Sequence, residues 1–214
     1  MSRNLQDYRQ SYEKDELLES SISDNPFQLF EQWFNETEIA GGAGEVNAMT
    51  IATIGLDGFP KSRVVLLKSY DADGFIFYTN FNSEKGKAIA LNPNVCLSFF
   101  WPSTERQVII QGVVEKVDEK TATEYYHSRP RGSQLGAWAS PQSSEIASRE
   151  VLENNLAEVE HKYEGQEVPK PEYWGGYIVK PFAIEFWQGR KNRLHDRIAY
   201  IKEDAKWNNK RLAP

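Results

Sequence analysis

Through the middle of the chain, apolar residues occur in short runs separated by polar turns, a pattern that predicts β-strands. Asp57-Gly58 and Asp73-Gly74 lie between such runs, and Asp-Gly is a strong signal for a hairpin turn. Short strands with hairpin connections favour an antiparallel barrel or sandwich. The predicted strands are Ala48–Leu56, Ser62–Tyr70, Phe75–Thr79, Val95–Trp101, Gln107–Val117, Tyr173–Val179, Ala183–Gln188 and Arg197–Ile201.

Four other segments have the spacing or the capping residues of helices. The first begins at Pro26, behind Asp24 or Asn25 as N-cap, and the glycines of residues 41–44 follow it. In the helix predicted over Ser144–Tyr163, apolar residues recur at i, i+4, i+7 and i+11, so that one face packs and the acidic face is solvated. The remaining predicted helices are Ser83–Leu91, Glu119–His127 and Ser144–Tyr163.

Charge is spread unevenly over the 214 residues. The formal net charge is -6, from 31 acidic and 25 basic residues. The first 40 residues hold nine acidic and three basic side chains, so they carry the whole excess and the rest of the chain is neutral in sum. This balance argues against generic nucleic-acid binding, which normally needs a basic surface.

Residues 1–24 are polar and charged, which predicts a mobile N-terminal segment ahead of a single domain over residues 25–214. No apolar stretch approaches the 18 or so residues of a membrane-spanning helix, and no signal-peptide pattern is visible. The expected location is the cytoplasm. Cys96 is the single cysteine, so no disulfide forms within the chain, and its apolar strand predicts a packed small side chain.

Several familiar chemistries are disfavoured by their missing motifs. The histidines, His127, His161 and His195, have no close Cys or His partner at zinc spacing, so no metal site is expected. The chain also lacks G-x-S-x-G, Walker A and G-x-G-x-x-G sequences. A triad hydrolase, a P-loop NTPase and a Rossmann dehydrogenase are therefore disfavoured.

Basic side chains stand in four unusual places instead. In an extended segment, Arg193, His195 and Arg197 share one face, where like charges repel unless an anion neutralises them. The alternative is a solvated edge strand, but the aromatic stretch Phe186–Gly189 just before it favours a ligand. The second place is the apolar run Arg63–Lys68. Alternation puts its two cations on opposite faces, where they either meet two anions or simply end the strand in water.

The third place is Tyr78–Lys85, where a strand runs into a helix start that can bind phosphate through free N–H groups. The fourth is Tyr125–Ser133, a helix end with two arginines and two hydroxyls, which is typical of a phosphate site or of arginines that complement the helix dipole. Together these places suggest two phosphate-bearing ligands. Trp138, Trp187 and Tyr125 are candidate aromatic walls for planar rings.

At these same residues the sequence resembles the pyridoxine/pyridoxamine 5′-phosphate oxidases, a family of FMN-dependent split-barrel flavoproteins. The resemblance runs from about Asn25 to the last residue and is specific in combination. One position departs from the pattern, because Glu84 stands where many members have a basic residue. The matching segments are Arg63–Lys68, Phe77–Asn80, Glu105–Val108, His127–Arg131, Ser133–Trp138, Gln142–Ser144, Glu185–Gly189, Arg193–Arg197 and Arg211–Pro214.

The resemblance implies a mainly β protein with α-helices (α+β), an FMN-binding split β-barrel with surrounding helices. It also implies a homodimer with FMN at the subunit interface, and a small-molecule substrate with no nucleic acid or membrane partner. The residues it assigns to the cofactor are Arg63, Val64, Val65, Leu66, Leu67, Lys68, Tyr78, Thr79, Lys85, Gln107, Gln142, Ser143, Trp187 and Arg197.

For the substrate, the resemblance implies a phosphate grip and two side chains over the pyridine ring, Arg193 and His195, which are the catalytic candidates. Arg9 and Tyr12 resemble a family segment that closes over the substrate. The phosphate grip consists of Lys68, Tyr125, Arg129 and Ser133.

The implied reaction oxidises pyridoxamine or pyridoxine 5′-phosphate at C4′ to pyridoxal 5′-phosphate. A hydride passes from C4′ to FMN, and O2 reoxidises the flavin with release of H2O2. Two alternatives stay open. One is a split-barrel flavin reductase or oxidase for another small aromatic, and the other is a non-catalytic module that binds FMN or pyridoxal phosphate.

Overall fold

The computed structural model describes residues 3–214, so residues 1 and 2 of the predicted mobile segment lie outside the described residues. The four predicted helices are present, and a fifth lies between the last two. The helices are α1 (Pro26–Ala40), α2 (Glu84–Leu91), α3 (Glu119–Ser128), α4 (Arg131–Ala139) and α5 (Arg149–Lys162).

Helix α1 shows why these boundaries follow from sequence. The Asn25 side chain accepts a hydrogen bond from the Phe27 N–H at 3.0 Å, and Pro26 occupies the first turn. Gly41 then ends the helix at φ 67°, in the left-handed region that favours glycine. The buried face includes Phe30 and Trp33, as the spacing predicts.

Helix α4 was not predicted from the sequence, because Pro130, Gly132 and Gly136 resemble a loop. Pro130 instead lies at the N-cap, where its missing N–H costs nothing. Helix α5 begins five residues later than the predicted Ser144, at Arg149. Its partly buried Leu156 and Val159 pack on a small cluster of Leu135, Tyr163 and Val168, in agreement with the predicted apolar face.

The predicted division of the chain into strands is wrong in two places. The single strand expected over Ser62–Tyr70 is two, with a break at Leu67-Lys68, and the two strands expected over Tyr173–Gln188 are one. A ninth strand near the C-terminus was not expected. The strands are β1 (Ala48–Ile54), β2 (Pro60–Leu66), β3 (Ser69–Asp71), β4 (Gly74–Asn80), β5 (Asn94–Trp101), β6 (Arg106–Lys116), β7 (Trp174–Gln188), β8 (Asp196–Glu203) and β9 (Lys206–Leu212).

Within the described residues the strands form one nine-stranded sheet in the order β2-β1-β5-β6-β7-β4-β3, with β8 on β7 and β9 on β8. Strand β7 is long because it has two antiparallel partners. Residues Trp174–Val179 pair with β4, and Ala183–Gln188 pair with β8. Pro181 lies between these two ladders, so neither of them needs the backbone N–H that proline lacks.

The chain divides into two compact units. The first contains residues up to Thr50, Leu97–Gln111 and Pro181–Pro214. Its core is aromatic: the rings of Phe30 and Phe99 are 5.2 Å apart, and so are those of Trp33 and Phe186. The second contains Ile51–Cys96 and Gly112–Lys180, with Phe75, Phe77 and Tyr177 buried. The single-domain boundary at residue 25 stays a prediction.

The N-terminal segment, residues 3–24, lies along the first unit in mostly irregular conformation. Leu17 is buried, with 2% of its surface exposed. The backbone N–H groups of Glu13 and Lys14 donate to one carboxylate oxygen of Glu105, at 2.8 and 3.0 Å. Asp15 forms an ion pair with buried Arg106 at 2.6 Å. The prediction that this segment is a mobile lid stays a prediction.

Cys96 lies on β5 and is half-buried. Burial raises the pKa of its thiol, as expected for a packed cysteine. No helix within residues 3–214 combines the length and the apolar character needed to cross a membrane.

Candidate functional site

The largest group of predicted site residues meets in one cavity of the second unit, of about 620 Å³, which we call the aromatic cavity. Strand β2 and the residues after it contribute one wall, and helices α3 and α4 contribute another. All four predicted phosphate-grip residues line this cavity. The predicted residues that line it are Val64, Val65, Leu66, Lys68, Tyr78, Thr79, Lys85, Tyr125, Arg129, Ser133 and Gln142.

Three stacked rings give the aromatic cavity its name. Tyr78 and Tyr125 stack at 3.9 Å between ring centroids, and Tyr78 and Trp174 stack at 5.5 Å with an interplanar angle of 10°. Tyr78 pairs with Gly176 across β4 and β7. A Cβ on Gly176 would lie 2.8 Å from the Tyr78 ring, so glycine is what lets the ring lie flat over β7.

Arg129 is the cation of this cavity with the most unusual surroundings. Its guanidinium carbon lies 4.6 Å from the Trp174 ring centroid, and its Nη2 donates to the Ser133 carbonyl oxygen at 2.9 Å. Its Nη1 is buried and has no hydrogen-bond partner within the described part of the chain. Burial also lowers the pKa of Arg129. A buried, unpaired donor on a cation is a ready position for an anionic oxygen.

The turn that carries Arg129 is held by buried polar contacts between α3 and α4. The Tyr126 hydroxyl donates to the Gln134 carbonyl oxygen at 2.8 Å, and burial raises the pKa of Tyr126 to about 12. The Gln134 amide donates back to the carbonyl oxygens of His127 and Arg129. These bonds fix the backbone of the Tyr125–Ser133 motif, so its side chains point into the cavity from a rigid support.

A second cavity of about 580 Å³ adjoins the first, since Val64, Lys85 and Gln142 line both. We call it the cationic cavity. Arg63 lines it and Lys68 lines the other, so the two cations of the RVVLLK run do serve different cavities. The residues around it are Lys61, Ser62, Arg63, Val64, Glu84, Lys85, Gln142 and Ser143.

Lys85 is nearly buried, with 8% of its surface exposed. Its Nζ donates to Thr79 Oγ1 at 3.2 Å and to Gln142 Oε1 at 3.4 Å, which are both neutral acceptors. Burial and then the charge of Arg63 lower the pKa of Lys85. The positive charges of Arg63 and Lys85 repel each other, and an anion bound between them would stabilise both. Arg63, Lys85 and the neighbouring hydroxyls therefore fit a phosphate group.

A third cavity of about 550 Å³, in the first unit, brings together the other predicted substrate residues. Arg9, Tyr12, Arg193 and His195 all line it. Tyr12 and His195 have ring centroids 5.9 Å apart, and the Trp187 ring lies 4.6 Å from that of His195. The aromatic residue expected beside these basic side chains is therefore present. We call this the N-terminal cavity.

His195 is held as a neutral base. Its Nδ1 accepts a hydrogen bond from the Arg190 backbone N–H at 3.0 Å, which leaves Nε2 as the protonated nitrogen. Burial and then the nearby charge of Arg193 lower the pKa of His195. The imidazole is thus uncharged at neutral pH.

The predicted extended segment over residues 193–197 is wrong. Lys191–Arg193 is a short 3-10 turn, and Asn192 and Arg193 have left-handed φ values of 57° and 62°. Strand β8 begins only at Asp196, so Arg193, His195 and Arg197 do not alternate along one strand face. Arg197 instead forms two parallel hydrogen bonds with the Glu185 carboxylate, at 2.8 and 3.0 Å. It lies outside the three cavities.

Three other predicted residues also lie outside these cavities. The Gln107 amide donates to Ser98 Oγ at 3.3 Å, and Leu67 is buried at 4% exposure. Trp187 contacts Tyr12 and His195 without lining the N-terminal cavity. Trp138, a candidate aromatic wall, belongs to the small apolar cluster and donates its indole N–H to the Pro169 carbonyl oxygen at 2.8 Å.

Sequence reasoning missed two residues that matter at these cavities. Trp174 joins the ring stack only because β4 and β7 pair, and no local motif announces that pairing. Lys61 also lines the cationic cavity, but it precedes the matched run by two residues and belongs to no motif in the sequence. Within residues 3–214, no three His, Cys, Asp or Glu side chains form a group that could hold a metal ion.

Comparison with known proteins agrees with this geometry. The family model described as pyridoxamine 5′-phosphate oxidase matches residues 36–163, and that described as pyridoxine 5′-phosphate oxidase C-terminal dimerisation region matches residues 174–214. A relative from Flavobacterium johnsoniae, named pyridoxine/pyridoxamine 5′-phosphate oxidase, is 60% identical over 98% of this chain and 99% of its own. One of the same name from Christiangramia forsetii is 58% identical over the full length of both.

Solved structures show the same fold. PhzG from Burkholderia lata, in complex with tetrahydrophenazine-1-carboxylic acid, superposes with a TM-score of 0.86 at 29% identity, over 94% of this chain and 98% of that one. A pyridoxamine 5′-phosphate oxidase-related, FMN-binding protein from Nostoc punctiforme gives 0.69 at 15% identity, over 90% and 100%.

The fold and its cavities define a split-barrel protein of the flavoprotein type, which confirms the predicted α+β split barrel. The chain belongs to the pyridoxamine 5′-phosphate oxidase family.

Proposed function

We propose that the protein oxidises pyridoxamine 5′-phosphate and pyridoxine 5′-phosphate to pyridoxal 5′-phosphate, with FMN as its redox cofactor. Full-length relatives at 60% and 58% identity bear the name of that activity. One observation carries the proposal: the four predicted phosphate-grip side chains line a single cavity, where Arg129 has a buried donor with no acceptor among residues 3–214.

In this proposal the substrate phosphate binds among Lys68, Arg129 and Ser133, with Tyr125 beside them. Arg129 supplies its unpaired Nη1 to a phosphate oxygen, and its guanidinium is already oriented by Trp174 and by the Ser133 carbonyl oxygen. Binding energy from this remote group positions the reacting carbon, which is worth more to catalysis than binding alone.

FMN fits the cationic cavity and its neighbour. Arg63, Lys85 and Ser143 hold the phosphate or ribityl groups, and the buried charge of Lys85 has only neutral acceptors until an anion arrives. Gln142, which lines both cavities, adds a polar contact, as do Tyr78 and Thr79. When bound, FMN supplies the two-electron acceptor for C4′ and is reoxidised by O2.

Arg193 and His195 line a different cavity from the phosphate grip, so they are proposed to orient the pyridine ring across the interface of the proposed homodimer. His195 presents a neutral imidazole whose Nε2–H is free to donate, because Nδ1 is already engaged by the Arg190 N–H. Arg9 and Tyr12 line the same cavity as these two residues and are proposed to close over the substrate.

The protein is proposed to act as a homodimer with FMN at the subunit interface. The family model for a C-terminal dimerisation region covers residues 174–214, which include β7, β8 and β9. A cytoplasmic location stays a prediction.

The test is turnover by the purified protein reconstituted with FMN. We expect pyridoxamine 5′-phosphate to give pyridoxal 5′-phosphate, measured as the aldehyde, with matching consumption of O2. Flavin binding without aldehyde would favour a split-barrel enzyme for another small aromatic. Binding of FMN or pyridoxal phosphate with no O2 consumption would favour a non-catalytic module.

A further inference from the structure

A carboxylate lies inside the cationic cavity. Glu84 is the first residue of α2, and its side chain is 41% exposed. One carboxylate oxygen hydrogen-bonds Lys61 Nζ, and the other lies 3.9 Å from Arg63 Nη2. Lys61 has a second partner outside the cavity wall, because Asp57 forms an ion pair with it at 2.9 Å.

The charges around this cavity divide into two groups. Lys61 is neutralised by Glu84 and Asp57, and both carboxylates raise its pKa. Arg63 and Lys85 remain for an incoming phosphate. Glu84 lies within ion-pair distance of Arg63, and its charge also opposes the lowering of the Lys85 pKa by burial and by Arg63. A phosphate group that contacts Arg63 therefore meets the Glu84 carboxylate at the same guanidinium, and two anions at short range repel.

We propose that Glu84 is an internal competitor for the cofactor's phosphate, and so sets how strongly the protein distinguishes FMN from a flavin without phosphate. The inference rests on the proposed function. Glu84 neutralises Arg63 and Lys61 when no phosphate is bound, and opposes the phosphate when it arrives. Its negative charge also complements the N-terminus of α2, so the residue stabilises the fold while it weakens phosphate binding.

The experiment measures the dissociation constants of FMN and riboflavin by flavin fluorescence, for the wild-type protein and for Glu84→Gln. We expect Glu84→Gln to bind FMN about fivefold more tightly at low ionic strength, because one partly exposed, solvent-screened repulsion is removed. The gain should shrink as salt is added, since salt screens partly exposed charges. Riboflavin affinity should stay the same, because riboflavin has no phosphate.

Asp57→Asn is the matched control. It removes an equal charge from Lys61 but none from Arg63, and Asp57 does not line the cavity. Its FMN affinity should change less than that of Glu84→Gln. The melting temperature gives a second readout. Glu84→Gln should melt at a slightly lower temperature while binding FMN more tightly. If Glu84 had only a structural role, its substitution would lower both the melting temperature and the FMN affinity.

Unchanged or weaker FMN binding by Glu84→Gln would overturn the inference, and so would an equal change in riboflavin affinity. If the wild-type protein fails to bind FMN at all, the proposed function itself falls. These failures are distinguishable, because the first two require a wild-type protein that binds FMN.

Discussion

At the scale of single residues, Arg129 has the surroundings of a side chain that binds an anion. Two of its contacts, with the Trp174 ring and the Ser133 carbonyl oxygen, fix the guanidinium, while Nη1 has no acceptor in the part of the chain that the structure describes. An unpaired buried donor costs about 1–3 kcal/mol, and a phosphate oxygen would recover that cost on binding.

Arg129→Ala should raise the KM for pyridoxamine 5′-phosphate by about 30- to 100-fold, since a hydrogen bond to a charged group contributes about 2–3 kcal/mol. Steady-state kinetics would measure this. The control is Lys162→Ala, which removes a cation that lies 5.3 Å from the Trp138 ring centroid, in the small apolar cluster. An unchanged KM in Arg129→Ala would contradict the assigned role.

His195 makes a prediction about pH. Its pKa is lowered by burial and by Arg193, so the neutral form persists below the ordinary pKa of 6.5 and is lost only at more acid pH. The wild-type kcat/KM should therefore fall as pH drops below 6.5. In His195→Asn, whose side-chain oxygen can still accept from the Arg190 N–H, the profile should be lower but flat in that range. An acid limb that persists in the variant would assign the titration to another group.

Several of these residues were predictable from local motifs, and others were not. Tyr125, Arg129 and Ser133 lie within nine residues of one another, so a sequence pattern records their grouping. Trp174 is far from them in sequence and meets Tyr78 only through the pairing of β4 with β7. Contacts made by strand pairing leave no local trace in the sequence.

At the scale of elements, the start of α2 depends on close approach to the residue that follows β4. A Cβ on Gly86 would lie 2.2 Å from the Phe81 carbonyl oxygen, which is backbone and has little room to move. The Ser83 hydroxyl accepts from the Gly86 N–H at 3.2 Å and caps this turn. Glycine is required at this position because there is no room for a Cβ, and not because the backbone has a positive φ.

Gly86→Ala should destabilise the protein by about 2–4 kcal/mol, in the range of core overpacking or more, because the helix must shift away from Phe81. Urea denaturation would measure the free energy of unfolding. Gly132→Ala in α4 is the control: nothing lies within 4 Å of its added Cβ, so it should be neutral or stabilise by up to about 1 kcal/mol. Equal effects of the two substitutions would contradict the close-approach argument.

Glu105 connects the N-terminal segment to the first unit. It is 8% exposed, has a left-handed φ of 56°, and accepts the N–H groups of Glu13 and Lys14 on one carboxylate oxygen. Its own carbonyl oxygen accepts from the Gly189 N–H at 2.8 Å. One residue thus ties the segment that carries Tyr12 to the end of β7.

Glu105→Gln should loosen residues 3–16, because a neutral amide oxygen accepts hydrogen bonds less strongly than a carboxylate. Trypsin cleavage after Arg9 and Lys14 should become about 5- to 30-fold faster, for a loss of about 1–2 kcal/mol in local stability. The matched control is Glu115→Gln, which removes only an exposed ion pair with Lys180. Cleavage at the wild-type rate in Glu105→Gln would show that other contacts hold the segment.

Elements were predictable where apolar spacing was clear. Helix α1 followed from its cap and its aromatic face. Strand β9 was not predictable, because Lys206–Leu212 is almost wholly polar and exposed. It is held by its backbone ladder with β8. Helix α4 was missed because Gly and Pro preferences outweigh a short apolar face. Both β9 and α4 are stabilised by tertiary contacts, which the local sequence propensity does not show.

At the scale of the whole molecule, the acidic excess of the first 40 residues is not a free tail. Asp15, Glu16 and Glu19 pair with Arg106, Arg190 and Arg211 respectively, all within the first unit. Glu13 pairs with Lys191 in the same way at 2.9 Å. The net charge of -6 therefore reflects where the acidic residues occur in the sequence, and many of them meet arginine and lysine in the fold.

The proposed homodimer makes a direct prediction. Light scattering on the eluting peak of a sizing column should give twice the chain mass of 24.6 kDa. The dimer should resist dilution to low micromolar concentration, as expected of an interface that completes an active site. A mass of one chain in the FMN-loaded protein would contradict the assembly.

Cys96 has a practical consequence. The chain has no other cysteine, and burial in β5 keeps this one largely in the thiol form, which reacts slowly with maleimides. A cysteine introduced at exposed Tyr8, beside the N-terminal cavity, would be labelled selectively by a fluorescent dye in the otherwise unaltered protein. Whether the N-terminal segment opens and closes, as predicted, is therefore accessible to single-molecule spectroscopy without a cysteine-free background.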